Sequence, residues 1–499
     1  MSAATAAPIP SAPADPVAPP KHAPKHAPKH APKHAPTADT YQLFRRLVPP
    51  ELVNRRQPSA SQAIYTAFVT VWMLIHQRLH GGSSLDEAVS ALLFTFPKED
   101  LPDCKRLKDD SVSANNAAYC RARQRLDPGL PGWLADHVFD SLHATCRPSW
   151  KNRRVILLDG STFSLIASKE LREAFPPASN QHGPGHWPIL QVLVAHDLDT
   201  GLVCRPEIGA MYGEDNDSES SLTLDLLPRL PAYSLILADG NFGIFIVAYH
   251  AATLGTHDVL FHLSEPRFRA LLREARLIGL GRWEVKWRPS LLERKKYGDL
   301  PADAEVRGYL VEVEIGQGDQ KRTLYLFTTL REGTNFEWGE LYGLRWCVET
   351  DIAAGKVTLG LGTVAGKTKA MVEKEVVLAT VAYNVIVQVR RLAAEKAKVQ
   401  PRRLSFTGTM SLLKAFQARV AAGGLSEEEL QQLFDKLLRA CGQRKVPNRP
   451  GRKYPREVIP RRRRHPERKR RPPDSSPSPG SGALPASGGD HPISANTHQ

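Results

Sequence analysis

The stretch RRVILLDGSTFSL, residues 153–165, is the best starting point for predicting the fold. Its residues Val155–Leu158 are all apolar, which is typical of a strand buried on both faces, and Asp159 followed by glycine ends the run. The stretch YSLILADGNFGIF, residues 233–245, repeats this arrangement: the short apolar strand Ser234–Ala238 ends at Asp239. Because α/β sheets bind ligands at the carboxyl ends of their strands, we expect Asp159 and Asp239 to lie at one such edge.

A third stretch, LYGLRWCVETDIAAGKVTLGL at residues 341–361, carries polar residues at helical spacing. Four of them are separated by three, four and seven positions: Tyr342, Arg345, Glu349 and Lys356. On a helix that turns about 100° per residue these positions share one narrow stripe. A core-facing stripe would be apolar, so this one predicts a face turned toward a charged ligand.

The arrangement Y-x2-R-x3-E-x6-K after two strand-ending aspartates resembles the signature of bacterial insertion-sequence transposases of the DDE type. This resemblance implies that Asp159, Asp239 and Glu349 are catalytic and hold two Mg²⁺ ions, which Mn²⁺ can replace. It also implies that Tyr342, Arg345 and Lys356 bind DNA phosphates. The expected reaction is strand cleavage at the element ends and strand transfer into target DNA, carried out by a homodimer in a synaptic complex.

The order of predicted elements after residue 150 agrees with the fold that the resemblance implies. A meander of three strands (Val155–Leu158, Leu190–Ala195 and Leu202–Ile208) precedes a helix near Glu219–Leu227 and the strand that ends at Asp239. A further helix and the strand Val259–Leu263 follow. We therefore predict an α/β protein with a ribonuclease-H-like catalytic core.

About seventy-five residues between the fifth strand and Glu349 are too many for a loop, and they predict a β-rich insertion. Residues 265–296 carry ten Lys/Arg against four Glu, with Trp283 and Trp287 interleaved. Cations hold phosphates and aromatic rings can stack on unpaired bases, so both tryptophans are candidate DNA-binding residues. The alternative is that they are core aromatics on a sheet face.

The resemblance and the patterning together predict five segments. They are a disordered Ala/Pro-rich arm with Lys-His-Ala-Pro repeats (1–40), a helical N-terminal DNA-binding domain (41–150), the catalytic domain (151–400) with its insertion at about 265–335, a helical C-terminal segment (401–442), and a disordered tail that is first basic and then Ser/Pro-rich (443–499). Arg121, Arg123 and Arg125 lie on a helix of the N-terminal domain, where they either contact DNA or form a solvated basic face.

The charge of +15 is concentrated in the tail, where residues 444–471 hold fourteen Lys/Arg against two Glu. Such a segment should raise affinity for nucleic acid without reading its sequence, or it is merely solubilising.

Six scattered cysteines without a C-x-x-C pair indicate a reducing compartment. The apolar run Ala63–Ile75 is too short to cross a bilayer. We expect a cytoplasmic, nucleoid-associated protein that does not interact with membranes.

Other interpretations of the same residues stay open. Asp-Gly after a strand is also an ordinary turn, and Arg345 with Glu349 is also an ordinary i,i+4 helix pair. The functional alternatives are a domesticated DNA-binding protein that no longer transposes, and a ribonuclease-H-like nuclease that cuts without joining. The acidic stretch Glu214–Glu219 reads as the start of a helix rather than as part of the site.

Overall fold

The central strand β1 (Val155–Ser164) shows how the alternation of side chains builds the two layers of the fold. In the computed structural model, Ile156 and Leu158 face a large core on one side of the sheet. Val155 and Leu157 face a smaller core on the other side, because successive side chains of a strand point to opposite faces. The structure describes residues 40–96, 101–181, 183–254, 256–315 and 321–447.

The described residues contain eleven strands. After β1 they are β2 (Ser179–Asn180), β3 (Gly183–Pro184), β4 (Ile189–Asp197), β5 (Glu207–Ala210), β6 (Leu235–Ala238), β7 (Asp258–His262), β8 (Arg276–Gly279), β9 (Arg282–Trp287), β10 (Val306–Ile315) and β11 (Arg322–Thr328). Nine of them form one mixed sheet in the order β5-β4-β1-β6-β7-β11-β10-β9-β8. The neighbours β1, β6 and β7 are parallel, and the remaining pairs are antiparallel.

Seventeen α-helices lie in the described residues. They are α1 (Thr40–Leu47), α2 (Pro50–Arg56), α3 (Ala67–Leu79), α4 (Leu85–Phe94), α5 (Lys105–Lys108), α6 (Ala117–Arg125), α7 (Gly129–His143), α8 (Lys169–Ala174), α9 (Glu219–Leu226), α10 (Phe245–Tyr249), α11 (Glu265–Leu272), α12 (Leu291–Lys296), α13 (Asn335–Gly343), α14 (Cys347–Ala353), α15 (Lys369–Ala397), α16 (Phe406–Ala421) and α17 (Glu427–Gln443).

The mixed α/β architecture predicted from the sequence is confirmed. The predicted strand Leu202–Ile208 was misplaced, because β5 begins only at Glu207 and Val203 makes just an isolated bridge to His196. Four strands, β8 to β11, lie in the range predicted for the insertion, and they extend the main sheet beyond β7 through the β7–β11 pairing. The sheet therefore runs without interruption from the predicted core into the insertion.

The long helix α15 is the centre of the larger core. It packs against α3, α7 and α17, which joins the N-terminal helices and the C-terminal helices to the sheet. Of the described helices it is the one long and apolar enough to cross a membrane, but 83% of its most apolar window is buried inside the protein. It is thus placed as the core helix of a soluble protein would be.

Buried charges attach the N-terminal helices to α15. Glu375 of α15 pairs with Arg78 of α3 at 2.6 Å and also with Arg123 of α6. Arg123 is buried, which corrects both interpretations of that residue, since it neither faces solvent nor can reach DNA. Its neighbours Arg121 and Arg125 are exposed. The arm before residue 40 and most of the tail lie outside the described residues, and residues 40–446 form one compact unit.

Candidate active site at the carboxyl edge of the sheet

Asp159 and Asp239 lie on the same face of the sheet for a simple geometric reason. Asp159 is in phase with Val155 and Leu157, which belong to the smaller core. Asp239 follows β6 directly, and Leu235 and Leu237 of that strand belong to the same core. Residues two apart on a strand share a face, and β1 and β6 are parallel. Both carboxylates are therefore presented on one face, where the parallel pairing of β1 with β6 ends. The prediction that Asp159 ends its strand is wrong, because β1 continues to Ser164 through its pairing with β4.

The segment that carries Tyr342, Arg345, Glu349 and Lys356 covers this face. It is not the single regular helix that its spacing predicted. The α-helix α13 passes into a 3₁₀ turn (Leu344–Trp346), then into α14, and ends in a π-helical turn (Ala354–Thr358). Trp338, Leu341 and Val348 anchor the segment by packing into the smaller core. Short pieces with three different helical repeats depart from a straight 100° stripe.

Tyr342 and Arg345 are brought close to the two aspartates. Burial, together with the charge of Asp239, raises the pKa of Tyr342 to about 12, although Arg345 opposes the shift. For Arg345, burial acts to lower the pKa, but Tyr342, Asp159 and Asp239 act more strongly in sum and raise it. The guanidinium thus remains charged in the field of both carboxylates.

Asp159 is itself in an unusual electrostatic environment. Burial raises its pKa to about 6, and the charges of Asp239 and Glu219 add to this, while the backbone N–H of Gly160 and the charge of Arg345 oppose it. The N–H of Gly160 donates a hydrogen bond of 2.8 Å to Oδ1 of Asp159. A half-buried carboxylate beside two others is poorly stabilised as an anion, and this environment favours a bound cation.

Lys356 reaches the same edge from the π-helical turn. Its Nζ lies 5.0 Å from the centre of the Phe163 ring, and Phe163 is four residues beyond Asp159 on the same face of β1. Burial lowers the pKa of Lys356, and the charge of Asp159 acts in the opposite direction. In the described part of the chain no carboxylate lies within 4.0 Å of its Nζ, so the ammonium group of Lys356 forms no ion pair with those residues.

Glu349 occupies a different position from the two aspartates. Its Oε1 accepts a hydrogen bond of 3.2 Å from Nη2 of Arg345, and its side chain is 36% exposed. The i,i+4 pair that the sequence left open is thus formed. Arg345, whose pKa is also raised by the charges of both aspartates, thus links Glu349 to the aspartates, but among the described residues the three carboxylates do not form one ligand group.

The structure also brings Glu219 to this part of the sheet, although its sequence context predicts only the start of a helix. It begins α9, whose Leu222 and Leu226 pack into the larger core on the opposite face of the sheet. A methyl group added at Gly160 would come within 2.0 Å of Oε1 of Glu219. Burial, and then the charge of Asp239, raises the pKa of Glu219. The signal in the sequence was its position as the first helical residue before the strand that ends at Asp239.

Two further residues of the edge were not predicted. His262 ends β7, and its ring centre lies 6.1 Å from that of Tyr342. Burial lowers the pKa of His262, against the effect of Asp239. Trp346, next to Arg345, is 54% exposed. His262 could have been found as a third strand end, whereas nothing in the sequence marks Trp346 as exposed.

The oxygen donors of this edge suit Mg²⁺, which prefers carboxylates and water. In the described part of the chain no Lys or Arg nitrogen lies within 4.0 Å of the carboxylates of Asp159, Asp239 or Glu219. Their negative charge is therefore not neutralised by a direct ion pair. Among the same described residues, no three His, Cys, Asp or Glu side chains lie close enough to share one ion as they stand. The donor chemistry fits, and the side chains would have to converge further.

The two tryptophans of the insertion differ in position. Trp287 is 4% exposed and its ring packs edge-on against Phe327 at 4.8 Å. The prediction that it binds DNA is therefore corrected, because in this structure it is a core residue. Trp283 is half-buried and packs edge-on against Phe268. Stacking on a base stays a prediction for Trp283 alone.

Most cations of the insertion face solvent. Seven of the ten Lys/Arg between residues 265 and 296 are exposed: Arg269, Arg273, Arg276, Lys286, Arg288, Lys295 and Lys296. Some of them are paired, as Arg276 is with Glu284 at 2.5 Å. These residues belong to the predicted insertion, whose strands extend the sheet beyond β7 and away from Asp159 and Asp239.

Comparison of the chain with models of known protein families gives no match, and no curated protein matches it either.

Proposed function

We propose that this chain is a DDE-type transposase with a ribonuclease-H-like core, which cuts DNA at the ends of a mobile element and joins those ends to target DNA. The observation that carries the proposal is the convergence of Asp159 and Asp239 with Tyr342, Arg345 and Lys356 at one edge of the sheet. These residues come from distant parts of the sequence, so helix or turn formation alone does not account for their proximity.

The order of the strands supports the proposed core. Five strands of the main sheet run in the spatial order β5-β4-β1-β6-β7, with antiparallel neighbours on one side of β1 and parallel neighbours on the other. In chain order Asp159 is on the first of these five strands and Asp239 follows the fourth. The Glu349 segment crosses the same face after the insertion.

Asp159, Asp239 and Glu349 would hold two Mg²⁺ ions, for which Mn²⁺ can substitute. When bound, such ions activate the attacking oxygen and stabilise the leaving oxygen of a phosphoryl transfer. The cations Arg345 and Lys356 would hold DNA phosphates beside the carboxylates. Lys356 suits this role best because, in the described residues, it lacks an internal carboxylate partner.

The phenol of Tyr342 stays protonated at neutral pH, since its pKa is about 12, and it can donate a hydrogen bond to a phosphate oxygen. The exposed ring of Trp346 is available to stack on a base next to the scissile phosphate. The partners proposed are the element ends, the target DNA and a second copy of this chain. The proposed location is the cytoplasm, in association with the nucleoid.

Three isosteric variants test the proposal: Asp159→Asn, Asp239→Asn and Glu349→Gln. Each removes one metal-binding charge and preserves shape, so each should abolish cleavage and strand transfer while DNA binding is retained. Asp225→Asn, an exposed aspartate of α9, is the matched control. The substrate is the DNA that flanks this reading frame, with Mg²⁺ or Mn²⁺. A variant that still cuts at the normal rate removes its residue from the site.

A pre-cut element end separates the proposal from its two alternatives. A transposase joins such an end to target DNA, a ribonuclease-H-like nuclease cuts but does not join, and a domesticated DNA-binding protein does neither. Binding without cleavage by the unaltered chain, with either metal, would therefore refute the proposed function.

A further inference from the structure

We infer that Glu219 is a further carboxylate of the proposed metal site, which reaches the backbone next to both aspartates from the opposite face of the sheet. This inference rests on the proposed function, because it assigns a role within the same site. Glu219 would act in addition to Glu349, the glutamate of the Y-x2-R-x3-E-x6-K segment.

The first ground is the contact of Glu219 with β1 at the residue after Asp159. Gly160 follows Asp159 on β1, and its missing side chain leaves the space that the Glu219 carboxylate occupies. A Cβ at this position would meet Oε1, Cδ and Cγ of Glu219 at 2.0, 2.7 and 3.1 Å. Real Cβ atoms essentially never approach other atoms so closely, so only glycine permits the observed position of the carboxylate.

The second ground is the contact of Glu219 with the Asp239 turn. Nδ2 of Asn241 donates a long hydrogen bond of 3.4 Å to Oε2 of Glu219. The backbone N–H of Asn241 donates one of 2.9 Å to Oδ1 of Asp239. Asn241 therefore joins both carboxylates, and Glu219 touches the residues that follow each aspartate.

The third ground is the charge of Glu219. Its only hydrogen bond to a side chain among the described residues is this weak one from Asn241, and no Lys or Arg nitrogen of those residues lies within 4.0 Å of it. If Glu219 served only to hold the segments of Gly160 and Asn241 together, a cation or several N–H donors would be expected to stabilise its carboxylate. A half-buried carboxylate with so little compensation, beside two others of the proposed site, is better explained by a role in binding a divalent cation, around which the three side chains would converge further.

The experiment compares the full chain with Glu219→Gln, which keeps the shape of the side chain and its contact with Gly160. Glu428→Gln, at the exposed start of α17, is the control. Thermal unfolding is followed without DNA while Mg²⁺ or Mn²⁺ is titrated from metal-free buffer. The metal concentration that gives half-maximal end cleavage is measured in parallel.

The expected result is that Glu219→Gln melts at or above the temperature of the unaltered chain in the absence of metal. Its metal-dependent rise in Tm should require about tenfold more metal, or be lost, and the half-maximal concentration for cleavage should rise equally. Changes to groups around a metal site typically cost 10–100-fold in affinity. If Glu219 acted only through packing and hydrogen bonds, glutamine would replace it without loss of metal affinity.

Normal metal titrations for Glu219→Gln would overturn the inference and leave the proposed function standing. Absence of any metal effect on stability or cleavage in the unaltered chain would overturn both. If Glu219→Gln fails to fold, Glu219→Asp is tested by the same criteria, since its shorter carboxylate keeps the charge but no longer reaches Gly160 and Asn241. Wild-type metal affinity of that variant would equally refute a role for Glu219 in the site.

Discussion

Replacing Asp159 by asparagine should make the metal-free protein more stable while it abolishes catalysis. The pKa of Asp159 is raised from 3.8 to about 6, first by burial and then by the charges of Asp239 and Glu219. A shift of about two units corresponds to roughly 3 kcal/mol in a fully buried group. Because Asp159 is partly exposed, we expect about 1–2 kcal/mol. Asparagine can still accept the hydrogen bond from the N–H of Gly160.

The sign of the pH dependence follows from the raised pKa. The folded protein binds the Asp159 proton more tightly than the unfolded chain does, so this carboxyl group stabilises the fold at low pH. That contribution is lost as the pH rises from about 4 to about 6. The advantage of Asp159→Asn should therefore be full above pH 7, shrink below pH 6 and vanish near pH 4.

The assay is thermal unfolding of both proteins in metal-free buffer between pH 4.5 and 8, with Asp225→Asn as the exposed control. For a compact unit of this size, 1–2 kcal/mol corresponds to a rise in Tm of about 1–2 °C. Mg²⁺ should then stabilise the unaltered protein and not the variant. A variant that is less stable at pH 7.5, or a stability difference that does not change with pH, would refute the inference that the surroundings of Asp159 destabilise its ionised form.

Three other predictions concern separate parts of the molecule. Lys356→Ala should lower end cleavage at least about tenfold while changing Tm little, because Lys356 lacks a carboxylate partner among the described residues; Lys369→Ala is the control, and normal cleavage would contradict a phosphate contact. Glu375→Gln should lower the free energy of unfolding by about 3–5 kcal/mol, since it leaves the buried Arg78 and Arg123 without their partner; an unchanged urea midpoint would contradict this. Removal of residues 444–499 should weaken binding to end and non-end DNA equally and reduce its salt dependence, and an unchanged salt slope would make the tail merely solubilising.

The elements that the sequence predicted well are those whose signal is local. The strands before Asp159 and Asp239 are short apolar runs, and the structure has strands at both places. The alternation of side chains then determines that both aspartates share a face. No local pattern predicts that β1 continues to Ser164, because the stretch after Gly160 is more polar and forms a strand only by pairing with β4.

The parts that could not be predicted depend on tertiary contacts. Glu219 is a helix-start residue in the sequence, and only the packing of α9 on the sheet brings it against Gly160. Trp287 alternates with polar neighbours as an exposed aromatic would, yet Phe245 and Phe327 surround it. Arg123 lies in a basic stretch and is buried because Glu375, more than two hundred residues later, pairs with it. None of these partners can be identified from spacing along the chain.

The position of Glu349 also depends on a residue that faces away from the site. α14 has only seven residues, and a helix this short is stabilised by its packing rather than by its own hydrogen bonds. Asp351, two positions after Glu349 and so on the opposite side of the helix, is buried and lies 2.7 Å from Nη1 of Arg402. Nη2 of Arg402 in turn donates to the carbonyl of Asp197 on β4.

These contacts connect α14 to β4 through Arg402. The 3₁₀ and π-helical turns at the ends of α14 make the whole segment depart from a straight helix. The signature Y-x2-R-x3-E-x6-K therefore does not by itself place Glu349. Its placement requires an inward-facing aspartate within the signature and an arginine about fifty residues beyond it. Two chains with the same four signature residues would differ in the position of this glutamate if one of them lacked that buried ion pair.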